Sequence, residues 1–191
     1  AREPRWGRVE ETYGEDPYLI AQIAKACIIG FQGDNEIIDS NHVAATLKHF
    51  VAHGQPENGT NCGPANFSKD YLTEVLIRPF EEVVKATNVW SIMVSYNEIE
   101  GIPINASKSL LTDLLRNKWG FKGVVVSDYE SIQQLESLHH ISKNKRESAK
   151  LAIEAGVDIE LPDTYCYPEL IELVKSGKVS EENIDKAVAR I

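Results

Sequence analysis

Along residues 16–30 apolar side chains return at three- and four-residue steps, as Leu19, Ile20, Ile23, Ala24, Cys27 and Ile28. Asp16 offers an N-cap, Pro17 suits the first helical position and Gly30 a terminus, so this spacing predicts an amphipathic helix. Residues 43–50 (VAATLKHF) are short and mostly apolar, which predicts a buried strand ending around Lys48 and His49; a loop through His53, Gly54, Pro56, Gly59, Gly63 and Pro64 follows. Residues 68–87 predict a long helix, capped by Ser68 and bent at Pro79, with Leu72, Val75, Leu76, Phe80, Val83 and Val84 on one face. Residues 91–96 (SIMVSY) read as a second strand, and residues 107–118 as a helix burying Leu110, Leu111, Leu114 and Leu115. In 123–127 (GVVVS) three consecutive valines suit burial on both faces of a parallel sheet, and this strand ends at Asp128. Helices at 131–138 and 143–155, a strand at 157–161, and helices at 167–176 and 180–191 complete the chain.

Apolar strands alternating with amphipathic helices four times over predict a parallel α/β protein. No low-complexity stretch, linker or sequence-level repeat interrupts the alternation. With 191 residues, 42% apolar and 26% charged, the composition is that of a folded domain, and the length taken alone predicts one domain. The net charge of −9 repels phosphate backbones and anionic lipid, which argues against nucleic-acid and membrane partners. No apolar run approaches the ~20 residues of a bilayer crossing, and the polar start lacks the apolar core of a signal peptide, so no targeting segment is expected and the compartment stays unassigned. Cys27, Cys62 and Cys166 are odd in number and unrelated in spacing, which supports neither a disulfide framework nor a zinc pair. Asn-x-Ser/Thr triplets at Asn58, Asn66 and Asn105 carry no weight by themselves.

In parallel α/β folds the carboxyl ends of the strands face the functional side. Strand one brings Lys48 and His49 there, strand two Tyr96 and Asn97, and strand three Asp128 and Tyr129; strand four runs through Asp158 and Glu160. A carboxylate, an ammonium, an imidazole and a phenol are thus expected to meet over one end of the sheet. Asp128 also fits a plain N-cap, and Tyr96 a packed aromatic. Burying Lys48 inside a strand costs several kcal/mol without a partner or ligand, so a functional and a structural reading of that pair stand level. His49 and His53, four apart, raise a metal site, but they straddle a strand end and no third ligand follows them in sequence.

At these positions the sequence resembles the glycoside hydrolase family 3 β-glycosidases over nearly the whole chain. Arg2-Glu3-Pro4-Arg5-Trp6-Gly7-Arg8, running into Glu11-Thr12-Tyr13-Gly14-Glu15-Asp16-Pro17, is similar to the family's R-D-P-R-W-G-R segment, with Glu3 where aspartate is usual. Ala45 to Phe50 resembles its A-x-x-K-H-F strand, Met93 to Asn97 its M-x-x-Y-N, and Trp119 to Tyr129 its W-G-F-x-G-x-x-x-S-D-(W/Y). The resemblance implies a partial (β/α)8 TIM-type barrel and a retaining exo-β-glycosidase acting on terminal β-glucose or β-xylose, with an oligosaccharide or an aryl or alkyl β-glycoside as substrate. It makes Asp128 the nucleophile, and Arg8, Lys48 and His49 the groups that bind sugar hydroxyls and keep cations beside the nucleophile, with Tyr96 orienting the carboxylate or the sugar. No metal or organic cofactor is implied.

The partner carboxylate is missing from this pattern. Glu57, Glu98 and Glu130 are available, yet none matches a family acid/base, and Phe50 to Glu57 departs from the K-H-F-P-G-H-G of the N-acetylglucosaminidase branch. The resemblance therefore implies that a C-terminal α/β domain of a longer protein supplies the proton donor. A barrel needs about 250 residues, so residues 1–191 are expected to be an incomplete barrel domain, lacking its first strands and that second domain. Two rivals remain: a catalytically silent sugar-binding or structural fragment, and a Schiff-base lyase using Lys48.

Overall fold

The computed structural model describes residues 1–33 and 37–191. Helix α1 (Pro17–Gln32) begins where Asp16 accepts a 2.7 Å hydrogen bond from the Leu19 amide, with Pro17 in its first turn. It runs past Gly30, which stays helical, and stops at Gly33. There φ is +74°, a conformation that suits glycine, and the Gly33 amide donates to Ile29 O at 2.8 Å. Strand β1 (Thr46–Phe50) starts three residues later than the sequence suggests. The Val43 amide donates to Phe31 O and the Ala45 amide to Gln32 Oε1, so the approach is tied to the end of α1 and not to a strand ladder.

Residues 69–86 form one helical run, α2, which is α over Lys69–Tyr71, π over Leu72–Ile77 and α again over Arg78–Ala86. Pro79 lies at the start of the last stretch and lacks an N–H to bond backwards, and the turns before it are wider than α. Strand β2 (Ser91–Val94) ends before Tyr96; just past it Ser95 still bonds the end of β1, its amide donating to Phe50 O and its hydroxyl to Val51 O. A hairpin of β3 (Glu98–Ile99) and β4 (Ile102–Pro103) follows, then helix α3 (Ser109–Lys118), a π-helix burying Leu111 and Leu115. Strand β5 (Val124–Tyr129) carries Asp128 inside its last turn of pleat, where the sequence reading had ended the strand. Helices α4 (Gln134–Ser137) and α5 (Lys145–Ala155), strand β6 (Ile159–Leu161), and helices α6 (Leu170–Lys175) and α7 (Glu181–Val188) complete the order.

The sheet is four-stranded and wholly parallel in the order β1-β2-β5-β6, so its strands lie in chain order, with the β3–β4 hairpin set apart between β2 and β5. Successive parallel strands, each returning through helix, form an arc of a (β/α)8 barrel. The core lies between sheet and helices, around Phe50, Ile92, Val94, Val125, Leu111 and Leu115, with Phe50 edge-on to Phe80 and Trp119. The register of β1 against β2 shifts between Leu47 and Phe50, where the Lys48–His49 and Phe50–Val51 peptides are cis.

Two buried carboxylates that the sequence grouped with the strand-end chemistry fasten the fold. Asp158 Oδ2 accepts from Arg116 Nη2 at 2.6 Å and the Val125 amide at 2.8 Å, and Oδ1 accepts from Arg190 Nη1 at 2.7 Å. Glu160 accepts from the amides of Cys166 and Tyr167, closing the loop after β6.

Candidate active site

Asp128 stands at the carboxyl end of β5, largely buried. Its Oδ1 accepts from the Tyr129 amide at 2.7 Å, its main-chain oxygen takes the Ser131 hydroxyl, and its Oδ2 lies 3.5 Å from His49 Nε2. Ser131 in turn donates to Asn105 Oδ1, and Asn105 donates to Ser95 O, so the turn after β5 is tied to the end of β2. The backbone and one carboxylate oxygen are thereby fixed, and the second oxygen meets His49 at the long limit of hydrogen bonding.

His49 is buried at the end of β1, and its Nε2 is also 3.4 Å from Arg8 Nη2. Burial first, then the neighbouring His53, Lys48 and Arg8, bring its pKa down to about 3, so at neutral pH the ring is an uncharged donor–acceptor. The sequence reading had counted His49 among the cations beside the nucleophile; burial overrides that. Arg8 is the cation of the cluster. Glu11 grips its guanidinium at 2.5 and 2.8 Å, and it stacks over the Trp6 ring with its carbon 5.2 Å from the centroid. The bidentate grip also lowers the Glu11 carboxyl to about 2.

Lys48 departs from expectation too. Its side chain is 47% exposed, and its Nζ lies 3.4 Å from Glu11 Oε2. The ammonium is solvated and paired with a carboxylate, so the burial cost assumed from sequence does not arise. Tyr96 does come to the site: its hydroxyl donates to Tyr129 O at 2.9 Å. Burial and then the Asp128 charge push its pKa upward, which keeps the phenol protonated. Carbonyl, carboxylate, imidazole, guanidinium and phenol thus meet over the strand ends, with the ammonium set apart behind Glu11.

Several further residues, some unmarked in the sequence, shape the site. Asn61 Oδ1 accepts from Trp6 Nε1 at 2.8 Å and contacts His53 Nε2 at 2.9 Å, binding the first segment to the loop after β1. Gly59 lets that segment approach: with φ +72°, a Cβ there would fall 2.6 Å from the Arg5 backbone. His53, nearly fully buried, packs edge-on to His49, Trp6 and Tyr96. His139 holds Glu98 at 3.0 Å and Tyr96 O at 3.1 Å, and Glu57 accepts from Asn66, while Glu130 is exposed. His53 lies four residues beyond His49, a spacing visible in sequence; Asn61 and His139 had nothing to mark them. A 190 Å³ cavity beside β1, walled by Trp6, Glu11, Lys48, His49, His53 and Phe80, backs the imidazoles and does not include Asp128.

Comparison with known proteins gives this geometry a lineage. The family described as Glycosyl hydrolase family 3 N terminal domain matches residues 1–191. A beta-xylosidase of Formosa agariphila is 40% identical over the whole of this chain and 28% of its own length. The periplasmic beta-glucosidase of Salmonella typhimurium is 34% identical over the whole chain and 25% of its length. The chain thus spans about a quarter of the relatives that it matches. Among solved structures, a beta-glucosidase of Listeria innocua in complex with glucose superposes with a TM-score of 0.94 at 37% identity, covering all of this chain and 26% of that one.

Proposed function

Because this chain belongs to glycosyl hydrolase family 3, matching its N-terminal domain from end to end, we propose that it is the nucleophile-bearing part of a retaining exo-β-glycosidase that releases terminal β-glucose or β-xylose. One observation carries the reading: Asp128 is pinned at the carboxyl end of β5 through its backbone and Oδ1, while Oδ2 is left beside neutral His49 and the Tyr96 phenol.

In this reading Asp128 Oδ2 attacks the anomeric carbon as the aglycone leaves, forming a glycosyl-aspartate, and water then displaces the sugar. Arg8 and His49 take sugar hydroxyls: Arg8 donates only, whereas uncharged His49 can donate or accept. Lys48 joins them from the rim once a ligand competes with Glu11. Tyr96, anchored on Tyr129 O, borders the nucleophile and stays protonated through the cycle. Fixed donors around a developing oxocarbenium ion act by position and charge.

A second carboxyl, about 5–5.5 Å from the nucleophile, must protonate the leaving oxygen in such a mechanism. Within residues 1–191 Glu98 is engaged by His139 and Glu57 by Asn66. As the family resemblance implies, the acid/base is assigned to a further domain of a longer protein; that this chain spans 28% and 25% of two relatives supports a longer protein. The substrate partner is a small oligosaccharide or simple β-glycoside.

In the full-length enzyme, Asp128→Asn should lower hydrolysis of an aryl β-glycoside by about 10⁴-fold or more, with no accumulation of glycosyl-enzyme in a quenched-flow burst. Wild-type turnover in that variant would sink the assignment.

A further inference from the structure

The loop after β1 carries a buried nitrogen that the glycosidase reading leaves unused. Indole can only donate, so the Asn61 atom 2.8 Å from Trp6 Nε1 is the carbonyl oxygen. His53 Nε2, 2.9 Å from the same oxygen, must then bear the ring proton. That fixes the tautomer and leaves Nδ1 as a bare lone pair. Nδ1 is buried without a hydrogen-bond partner, in a residue that is 2% exposed.

We propose that His49, His53 and Asp128 form a binding site for a borderline divalent cation of the zinc type. Each residue offers one ligand atom, and these atoms all lie within 4.8 Å of one another. Ligand atoms sharing one tetrahedral zinc at its usual bond lengths stand about 3.3–3.5 Å apart. His49 Nε2 and Asp128 Oδ2 are already 3.5 Å apart. The His53 ring packs at 4.4 Å from that of His49, and drawing its nitrogen onto a shared cation means an inward shift against its 2.9 Å contact with Asn61. Two imidazoles and one carboxylate favour zinc or copper over magnesium or calcium, which prefer all-oxygen shells.

The charged groups facing the site set its character. Arg8 Nη2 lies 3.4 Å from His49 Nε2 and must swing aside for a cation to enter; Glu11, which holds Arg8, also engages Lys48. A site that displaces a guanidinium suits a reversible ligand better than a permanent one. The binding stands independently of the glycosidase reading. Its consequence rests on that reading: a cation on Oδ2 occupies the electron pair with which Asp128 would attack, so the metal inhibits.

The test is a calorimetric titration of the full-length protein with ZnCl₂, paired with the visible absorption of a Co²⁺-loaded sample. The expected result is a saturable equivalent, with tetrahedral Co²⁺ bands, that weakens at least about 10-fold in both Asp128→Asn and His53→Gln. Circular dichroism verifies that each variant folds, and Asp128→Asn carries the test if His53→Gln does not. No saturable binding, or wild-type affinity in Asp128→Asn, would overturn the site. For the consequence, aryl β-glycoside hydrolysis should fall as Zn²⁺ saturates and return with a chelator; unaffected hydrolysis at saturation would overturn inhibition while leaving the nucleophile assignment to its own variant.

Discussion

Asn61 Oδ1 collects Trp6, His53 and, at 3.4 Å, Arg8, so one carboxamide sets both the tautomer of His53 and the seat of the guanidinium. The protonation states around it follow from burial. Desolvation, then Arg8, brings His53 down to about 4, and His49 lies at about 3, against an ordinary imidazole value of 6.5. Between those values the unfolded chain binds protons that the folded one refuses, so this stability is complete above pH 6.5 and is lost as the pH falls toward 4 and 3. The slope is at most about 1.4 kcal/mol per pH unit for each imidazole. Carboxyls held low, such as Glu11 at about 2, act only below their ordinary 4.5, which leaves pH 5–6.5 to the imidazoles. Thermal melts across that interval should show a Tm falling with pH, and His53→Gln should flatten the fall; a level wild-type profile would contradict buried neutral rings. Asp128, Arg8, His49 and Tyr96 were all readable from sequence as strand-end or motif residues. The neutrality of His49 and the retreat of Lys48 to Glu11 were not, because both depend on which side of β1 meets water.

Elements in this fold are joined by polar side chains that reach main-chain atoms. Gln32, buried in α1, donates to Asn88 O and accepts from the Ala45 and Trp90 amides, so one side chain gathers the entries to β1 and β2. Asp158 does the same for β5, α3 and the end of α7. Asp158→Ala would leave Arg116, whose side chain is 9% exposed, without its carboxylate. Such a loss costs about 3–5 kcal/mol, or a Tm lower by about 6–20 °C. Calorimetry checks this, and a drop of under one degree would show that Arg116 finds other partners. Periodicity located the long helices and the four strands of the parallel sheet to within a few residues, but read the β3–β4 hairpin only as a turn. It could not tell that Asp158 and Glu160 are fasteners, although Asp158 lies at the entry of β6, the end of a parallel sheet away from the usual functional face. The π turns of α2 and α3 also escaped, since their apolar spacing still satisfies a 3.6-residue reading.

For the whole molecule the decisive quantity is what the sheet leaves unpaired. A closed barrel has no edges, whereas the described residues present β1 and β6 as the two ends of an arc. Beside β1 lies a 400 Å³ groove lined by Cys27, Ile28, Phe31, Val43 and Leu47, with Phe31 and Val43 exposed. Expressed as residues 1–191 alone, the chain should self-associate at micromolar concentration despite a net charge of −9. Light scattering over a dilution series measures this, and a concentration-independent monomer would contradict an adhesive edge.

The strand order has a consequence in time as well as in space. Since sheet neighbours are successive strands of that sheet, the described arc can grow one strand at a time as it leaves the ribosome. Arg8, His49, His53 and Asn61 precede Asp128 in the chain, and Asp128 follows His49 by about 80 residues, or ~4–16 s at common elongation rates. The pocket's neutral and cationic walls can thus be in place before the nucleophile arrives to complete it.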